Sequence, residues 1–115
     1  MQAIQAKIRY LSHSAQKVRI VIDMVRGKSA NEAMEILRFV NKRAALPVQK
    51  LVASAVANAE ENFGVSRDDL YVEKITADEA PTRKWRRFGA RGRFKPILRR
   101  SSHLTVILRE RGRAA

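Results

Sequence analysis

Between Ile4 and Leu11 apolar and polar positions alternate, with Ile4, Ala6, Ile8 and Tyr10 on one side and Gln5, Lys7 and Arg9 on the other. That period predicts a half-buried strand with a basic outer face. Ser12-His13-Ser14 breaks the alternation, and either serine can cap a following helix. There the period changes: Val18, Val21, Ile22 and Val25 form an apolar stripe, while Gln16, Lys17, Arg19, Asp23 and Arg26 keep to the polar side until Gly27 ends the run. Ser29-Ala30-Asn31-Glu32 has the form of a capping box, in which the serine accepts from a free amide and the glutamate reaches back. It opens a second helix with Ala33, Ile36, Leu37 and Val40 inward and Glu35 and Arg38 outward. Pro47 suits the first turn of a third helix, where its missing amide is not needed. From Val48 to Phe63 this helix turns Leu51, Val52, Ala55, Val56, Ala59 and Phe63 inward, and Gly64 stops it.

The second half of the chain returns to the strand period. Leu70 to Ala77 reads as a strand, but Leu70 and Val72 fall out of phase with Ile75, which predicts a bulge or a twist between them. Leu104, Val106 and Leu108 alternate with His103, Thr105 and Ile107, so both faces of that strand are fairly apolar. The expected fold class is α+β: a small three-stranded antiparallel sheet packed against three helices, with a long basic β-hairpin extension. The expected organisation is a single domain over residues 1–115, with 81–101 as the extended hairpin arm.

Charge gives that arm its meaning. Arg83, Lys84, Arg86, Arg87, Arg91, Arg93, Lys95, Arg99, Arg100 and Arg109 lie between Ala80 and Arg109 without one Asp or Glu. A folded core cannot absorb so many like charges, because each needs a partner or water. Trp85, Phe88, Phe94, Ile97 and Leu98 are threaded among them, and Gly89-Ala90-Arg91-Gly92 can supply the positive dihedrals of a hairpin turn. The arginines favour bidentate and stacking contacts to phosphates and bases. The aromatics either stack on unpaired bases or pin the two strands together. With 115 residues and a net charge of +13, the chain calls for an anionic partner, bound in a salt-sensitive way.

Other classes of function find less support. No apolar segment approaches the length of a membrane span, and no amphipathic helix concentrates the basic residues. Met1-Gln2-Ala3-Ile4 is not a basic region followed by a long apolar run, so no export signal is expected. There is no cysteine, which removes disulfides, thiol nucleophiles and Cys-ligated zinc. His13 and His103 have no acid cluster or glycine loop beside them; His13 can donate to a phosphate or cap a backbone group, and His103 reads as a packed or hydrogen-bonded residue. Asp78 and Glu79 project to opposite sides of an extended chain, poor geometry for a metal pair or for general acid and base, and are better matched to arginines at the root of the arm. Ser101-Ser102-His103 has no orienting acid. No enzyme, cofactor or metal site is expected. A DNA-binding regulator would need a base-reading helix, for which Lys17, Arg19 and Arg26 are too sparse.

Taken together, several stretches carry a resemblance. Ser14-Ala15-Gln16-Lys17-Val18-Arg19, Asn41-Lys42-Arg43-Ala44, Ser54 to Glu60, Asp78-Glu79-Ala80-Pro81, Arg91-Gly92-Arg93 and Ser102 to Val106 resemble the family of ribosomal protein twenty-two of the large subunit, in its bacterial form. The likeness runs from about Lys7 to Leu108 with its motifs in order. It implies a structural component of the large subunit in the cytoplasmic ribosome, with a body near the exit of the peptide tunnel and a hairpin threaded into ribosomal RNA. It also implies a part in subunit assembly. The implied partners are large-subunit ribosomal RNA, neighbouring large-subunit proteins and the nascent polypeptide, with no membrane span and no obligate homo-oligomer. Carried onto this chain, the RNA-binding set is Lys7, Arg9, His13, Lys17, Arg19, Arg83, Lys84, Arg86, Arg87, Arg99 and Arg100. The tunnel-facing tip is Phe88, Gly89, Ala90, Arg91, Gly92 and Arg93. The chain departs from the family pattern at Trp85-Arg86-Arg87-Phe88-Gly89, where smaller aliphatics and a proline are usual.

Overall fold

The computed structural model describes residues 4–88 and 94–110, and within 83–99 the backbone alone. Five strands and three helices follow in the order β1 (Ile4–Leu11), α1 (Ala15–Ile22), α2 (Ala30–Phe39), α3 (Ala45–Phe63), β2 (Leu70–Glu79), β3 (Arg83–Phe88), β4 (Phe94–Arg99) and β5 (Ser102–Glu110). A single 3₁₀ turn, Arg67–Asp69, lies between α3 and β2. The fold is α+β. The main sheet is antiparallel in the order β1-β5-β2, so the last strand of the chain is the central one. β3 and β4 pair with each other as a separate hairpin, and the molecule is correspondingly elongated, 72 × 25 × 19 Å.

The core explains why the two halves of the pattern belong together. Ile4, Leu70, Val72, Ile75, Ala77, Leu104, Val106 and Leu108 line one face of the sheet and are buried against Val18, Val21, Ile22, Val25, Leu37, Val48, Leu51, Val52, Ala55 and Val56 from the helical side. α3 lies across β1 and β5, and α1 across β2. The small side chains Ala55 and Ala59 are fully buried on α3, which lets that helix approach the sheet closely. Helix ends are closed as the sequence demands. Ser14 Oγ accepts from the Lys17 amide at 3.5 Å and Ser29 Oγ from the Glu32 amide at 3.3 Å. Gly64 ends α3 at φ 63°, a left-handed conformation that glycine adopts without strain.

Several expectations are met in detail and some are not. The bulge inferred in β2 is present: the register against β5 shifts between Val72 and Lys74, and Leu70, Val72, Ile75 and Ala77 all reach the core as a result. Tyr10, expected on the inward side of β1, is instead 61% exposed. The pairing of β1 with β5 shifts between Ile8 and Leu11, and Tyr10 sits at φ +56°. The irregularity flips Tyr10 outward and gives the next inward position to Leu11, at a backbone strain on the order of 1–3 kcal/mol. Phe63, also expected inside, is 43% exposed, because it occupies the last turn of α3, next to the Gly64 cap. α1 is shorter than its apolar stripe: after Ile22 the chain continues in tighter turns, Met24 N–H to Val21 O and Val25 N–H to Ile22 O, both 3.1 Å, which still bury Val25. In the capping box the serine half forms, while the Glu32 carboxylate lies 4.0 Å from Lys28 Nζ.

Candidate nucleic-acid interface

An edge strand presents unpaired carbonyls and amides, and β2 is such a strand. Two arginines expected on the polar side of the helix, Arg19 as an RNA contact and Arg26 without a partner, close much of that edge. Arg19 donates from Nε and Nη2 to Ala77 O at 3.1 and 2.9 Å, and Arg26 from Nε and Nη2 to Ile75 O at 3.2 and 3.1 Å. Further along, Gly27 N–H donates to Val72 O and Val72 N–H to Lys28 O, at 3.2 and 2.8 Å. Arg26 also pairs with Asp23. The seven-residue spacing of Arg19 and Arg26 puts both guanidiniums on the side of α1 and its following turns that looks toward β2, two strand residues apart. Sequence pattern alone carries no signal for such a side-chain-to-carbonyl bond.

The other residues of the expected RNA-binding set are distributed over several elements. Lys7 and Arg9 are exposed on the outward positions of β1, and Lys17 is exposed on α1. His13 is half-buried at the junction of β1 and α1. Its amide donates to Leu11 O at 2.8 Å and its carbonyl accepts from the buried Ser102 Oγ at 2.9 Å, while its Nδ1 is buried without a partner. Ser102 thus ties the start of β5 to the end of β1. Arg100 is exposed beside the root of the arm, where Ala80 N–H donates to Ser101 O at 3.1 Å.

The arm itself is described through its backbone. β3 and β4 pair without a register shift from Arg83 opposite Arg99 to Phe88 opposite Phe94. Two of these positions, Arg83 with Arg99 and Arg87 with Lys95, set cation against cation, and like charges directly opposed disfavour pairing. Trp85 stands opposite Ile97 and Phe88 opposite Phe94, so apolar register positions alternate with charged ones. Lys84 and Arg86 fall opposite Leu98 and Pro96. Gly89, Ala90, Arg91, Gly92 and Arg93 of the expected tip lie outside the described residues, as do the side chains that Asp78 and Glu79 were expected to meet in the arm.

In the body, several acids have partners close by. Glu60 accepts from Arg67 Nε at 2.7 Å and, mainly through that bond, raises the Arg67 pKa above its ordinary value. Glu73 pairs with Arg109, and Asp68 accepts from Asn31 Nδ2 at 2.7 Å. Among the described residues no three His, Cys, Asp or Glu gather as a metal-binding group, and no helix is long and apolar enough to cross a membrane. A cleft of about 290 Å³ opens on the sheet face away from the helices, between Lys7, Arg9, Tyr10, Asp78, His103 and Thr105. His103 has the packed, hydrogen-bonded role expected of it: its Nδ1 accepts from the Tyr10 amide at 3.1 Å.

Compared with known protein families, residues 6–109 match the model described as ribosomal protein L22p/L17e. The match covers nearly all of the chain, including both strands of the hairpin and most of each strand of the main sheet.

Proposed function

The chain belongs to the ribosomal protein L22p/L17e family and is a large-subunit ribosomal protein of the cytoplasmic ribosome; on that premise we propose that it binds large-subunit ribosomal RNA through its hairpin arm and lines the nascent-peptide tunnel with the arm's tip. The observation that carries this reading is the run from Ala80 to Ser101, nine cations and no acid. Phosphates packed around the arm offset the repulsion of Arg83 with Arg99 and of Arg87 with Lys95, so that RNA and hairpin order one another. Arg83, Lys84, Arg86, Arg87, Arg99 and Arg100 make these contacts along its length. The tip, Phe88 to Arg93, faces the tunnel and the nascent polypeptide. Lys7, Arg9, His13 and Lys17 add contacts from the body, and Arg19 does so only with donors its bonds to Ala77 O leave over. The protein performs no catalytic step; it supports assembly by neutralising RNA segments that would otherwise repel one another.

The test is hydroxyl-radical footprinting of large-subunit RNA with the full chain and with a variant in which residues 81–100 are replaced by Asn-Gly. Ala80 N and Ser101 O are already 3.1 Å apart, so a two-residue turn can close the gap. The expected result is a folded variant that has lost protection of interior RNA. Unchanged interior protection sinks the proposal.

A further inference from the structure

The cleft on the open face of the sheet has no part in the arm-based reading, yet its chemistry is specific. Across the three strands, Asp78 of β2 stands opposite His103 of β5, and Tyr10 of β1 donates its amide to the His103 ring. The next row is Lys7, Thr105 and Thr76. The Tyr10 and His103 rings meet nearly at right angles, 84° between planes, with centroids 4.7 Å apart. A perpendicular contact on one side leaves Tyr10 a broad free face, in keeping with its 61% exposure. Tyr10 reaches this place only through the irregularity in β1 and a positive φ held by the bond to His103. Regular alternation would have buried the ring, so the strain buys an exposed aromatic fixed at the mouth of a cleft.

We propose that this cleft holds one unpaired nucleotide of large-subunit RNA, with Tyr10 stacked on the base, Lys7 and Arg9 on its flanking phosphates, and Asp78 accepting from an exocyclic amino group of the base. The inference rests on the RNA-binding reading above and names a body site for it that is independent of the arm. Charge decides the class of occupant: two exposed cations flank the cleft in a chain of net charge +13. Asp78 decides the part of it that enters. A carboxylate repels a phosphate but accepts from base amino groups, so it faces the base while the cations face the backbone. A base between an aromatic ring and such polar groups is the usual mode for unstacked RNA. The volume, about 290 Å³, sits at the small end of ligand clefts, which suits a single nucleotide.

The experiment titrates the full chain onto transcribed large-subunit RNA at fixed salt and maps base-edge reactivity nucleotide by nucleotide. Tyr10→Asn and Tyr10→Gly both suit a positive φ and remove the ring; Tyr10→Phe keeps it. Thermal melting reports whether each variant is folded. The expected result is about tenfold weaker binding for both ring deletions and loss of protection at one amino-bearing base. Arm protections persist, and Tyr10→Phe behaves as the native chain. Changing that base to uracil weakens the native chain and leaves Asp78→Asn unaffected. Native affinity and an unchanged protection pattern in both folded ring deletions overturn the proposal while leaving the arm reading intact. Failure of the native chain to bind the RNA at all overturns both.

Discussion

The body and the arm are both rich in arginine, but several of the body's arginines are used in the opposite way. In the body each of four arginines has an identifiable partner within the chain: Arg19 and Arg26 hold backbone carbonyls of β2, Arg67 meets Glu60 and Arg109 meets Glu73. In the arm there is no acid to meet, and the register sets Arg83 against Arg99 and Arg87 against Lys95. The difference separates positive charge that completes a fold from positive charge that needs something outside it. It also explains why net charge alone is a poor guide to which residues are free for an anionic partner, since Arg19 is as cationic as Arg86 and is engaged at home.

The comparison can be broken most forcefully at the core. Leu104→Ala, at a fully buried central position, should lower unfolding free energy by roughly 2–5 kcal/mol in a denaturant titration. The Asn-Gly replacement of the arm should leave the midpoint nearly unchanged; a large drop would show that the arm supports the body. A sharper contrast uses one residue type at two sites. Arg26→Met should destabilise by about 1 kcal/mol by freeing the Ile75 carbonyl. Arg86→Met should stay within about 0.5 kcal/mol, yet reduce the salt slope of RNA binding by about one. Comparable to Arg26→Met, Gly64→Ala should destabilise by roughly 1–2 kcal/mol. A Cβ there meets nothing within 4 Å, so only the left-handed backbone opposes it. The least effect is expected from Glu60→Gln: the pair with Arg67 is on the surface, and its loss should leave the melting temperature unchanged. Hydrogen exchange of the free protein orders the same regions, with amides of β3 and β4 exchanging faster than those of α3.

Much of the fold was legible because periodicity reports burial directly. The out-of-phase pair Leu70 and Val72 against Ile75 announced a bulge that the register shift at Val72 and Lys74 bears out. Periodicity misled where a local irregularity or an element's end intervened. Tyr10 obeys the alternation of β1 in sequence and violates it in space, because no residue in Arg9-Tyr10-Leu11 is a glycine or proline that would mark the change. Phe63 continues the stripe of Ala59, but stands in the last turn of α3 and stays 43% exposed. The cleft was illegible for a different reason: Tyr10, Asp78 and His103 come from three strands, and only the β1-β5-β2 order sets them side by side. The same holds for Arg19 and Arg26, whose partners are carbonyls that no residue type encodes.

The placement of β5 at the centre of the sheet has a consequence for biogenesis. Ile4 pairs with Leu108, and β2 finds its sheet partner only beyond the hairpin. During synthesis β1 and β2 are therefore without a central strand between them until the residues beyond the hairpin have been made. Contacts of such long sequence separation form slowly. The arm precedes β5 in the chain, so its arginines are in solution before the body that carries them can close. An anion that gathers the hairpin at that stage would bring β2 and β5 together at their shared root, Ala80 and Ser101, and shorten the loop that remains to be closed. A polyanion would then act on this protein as a folding template.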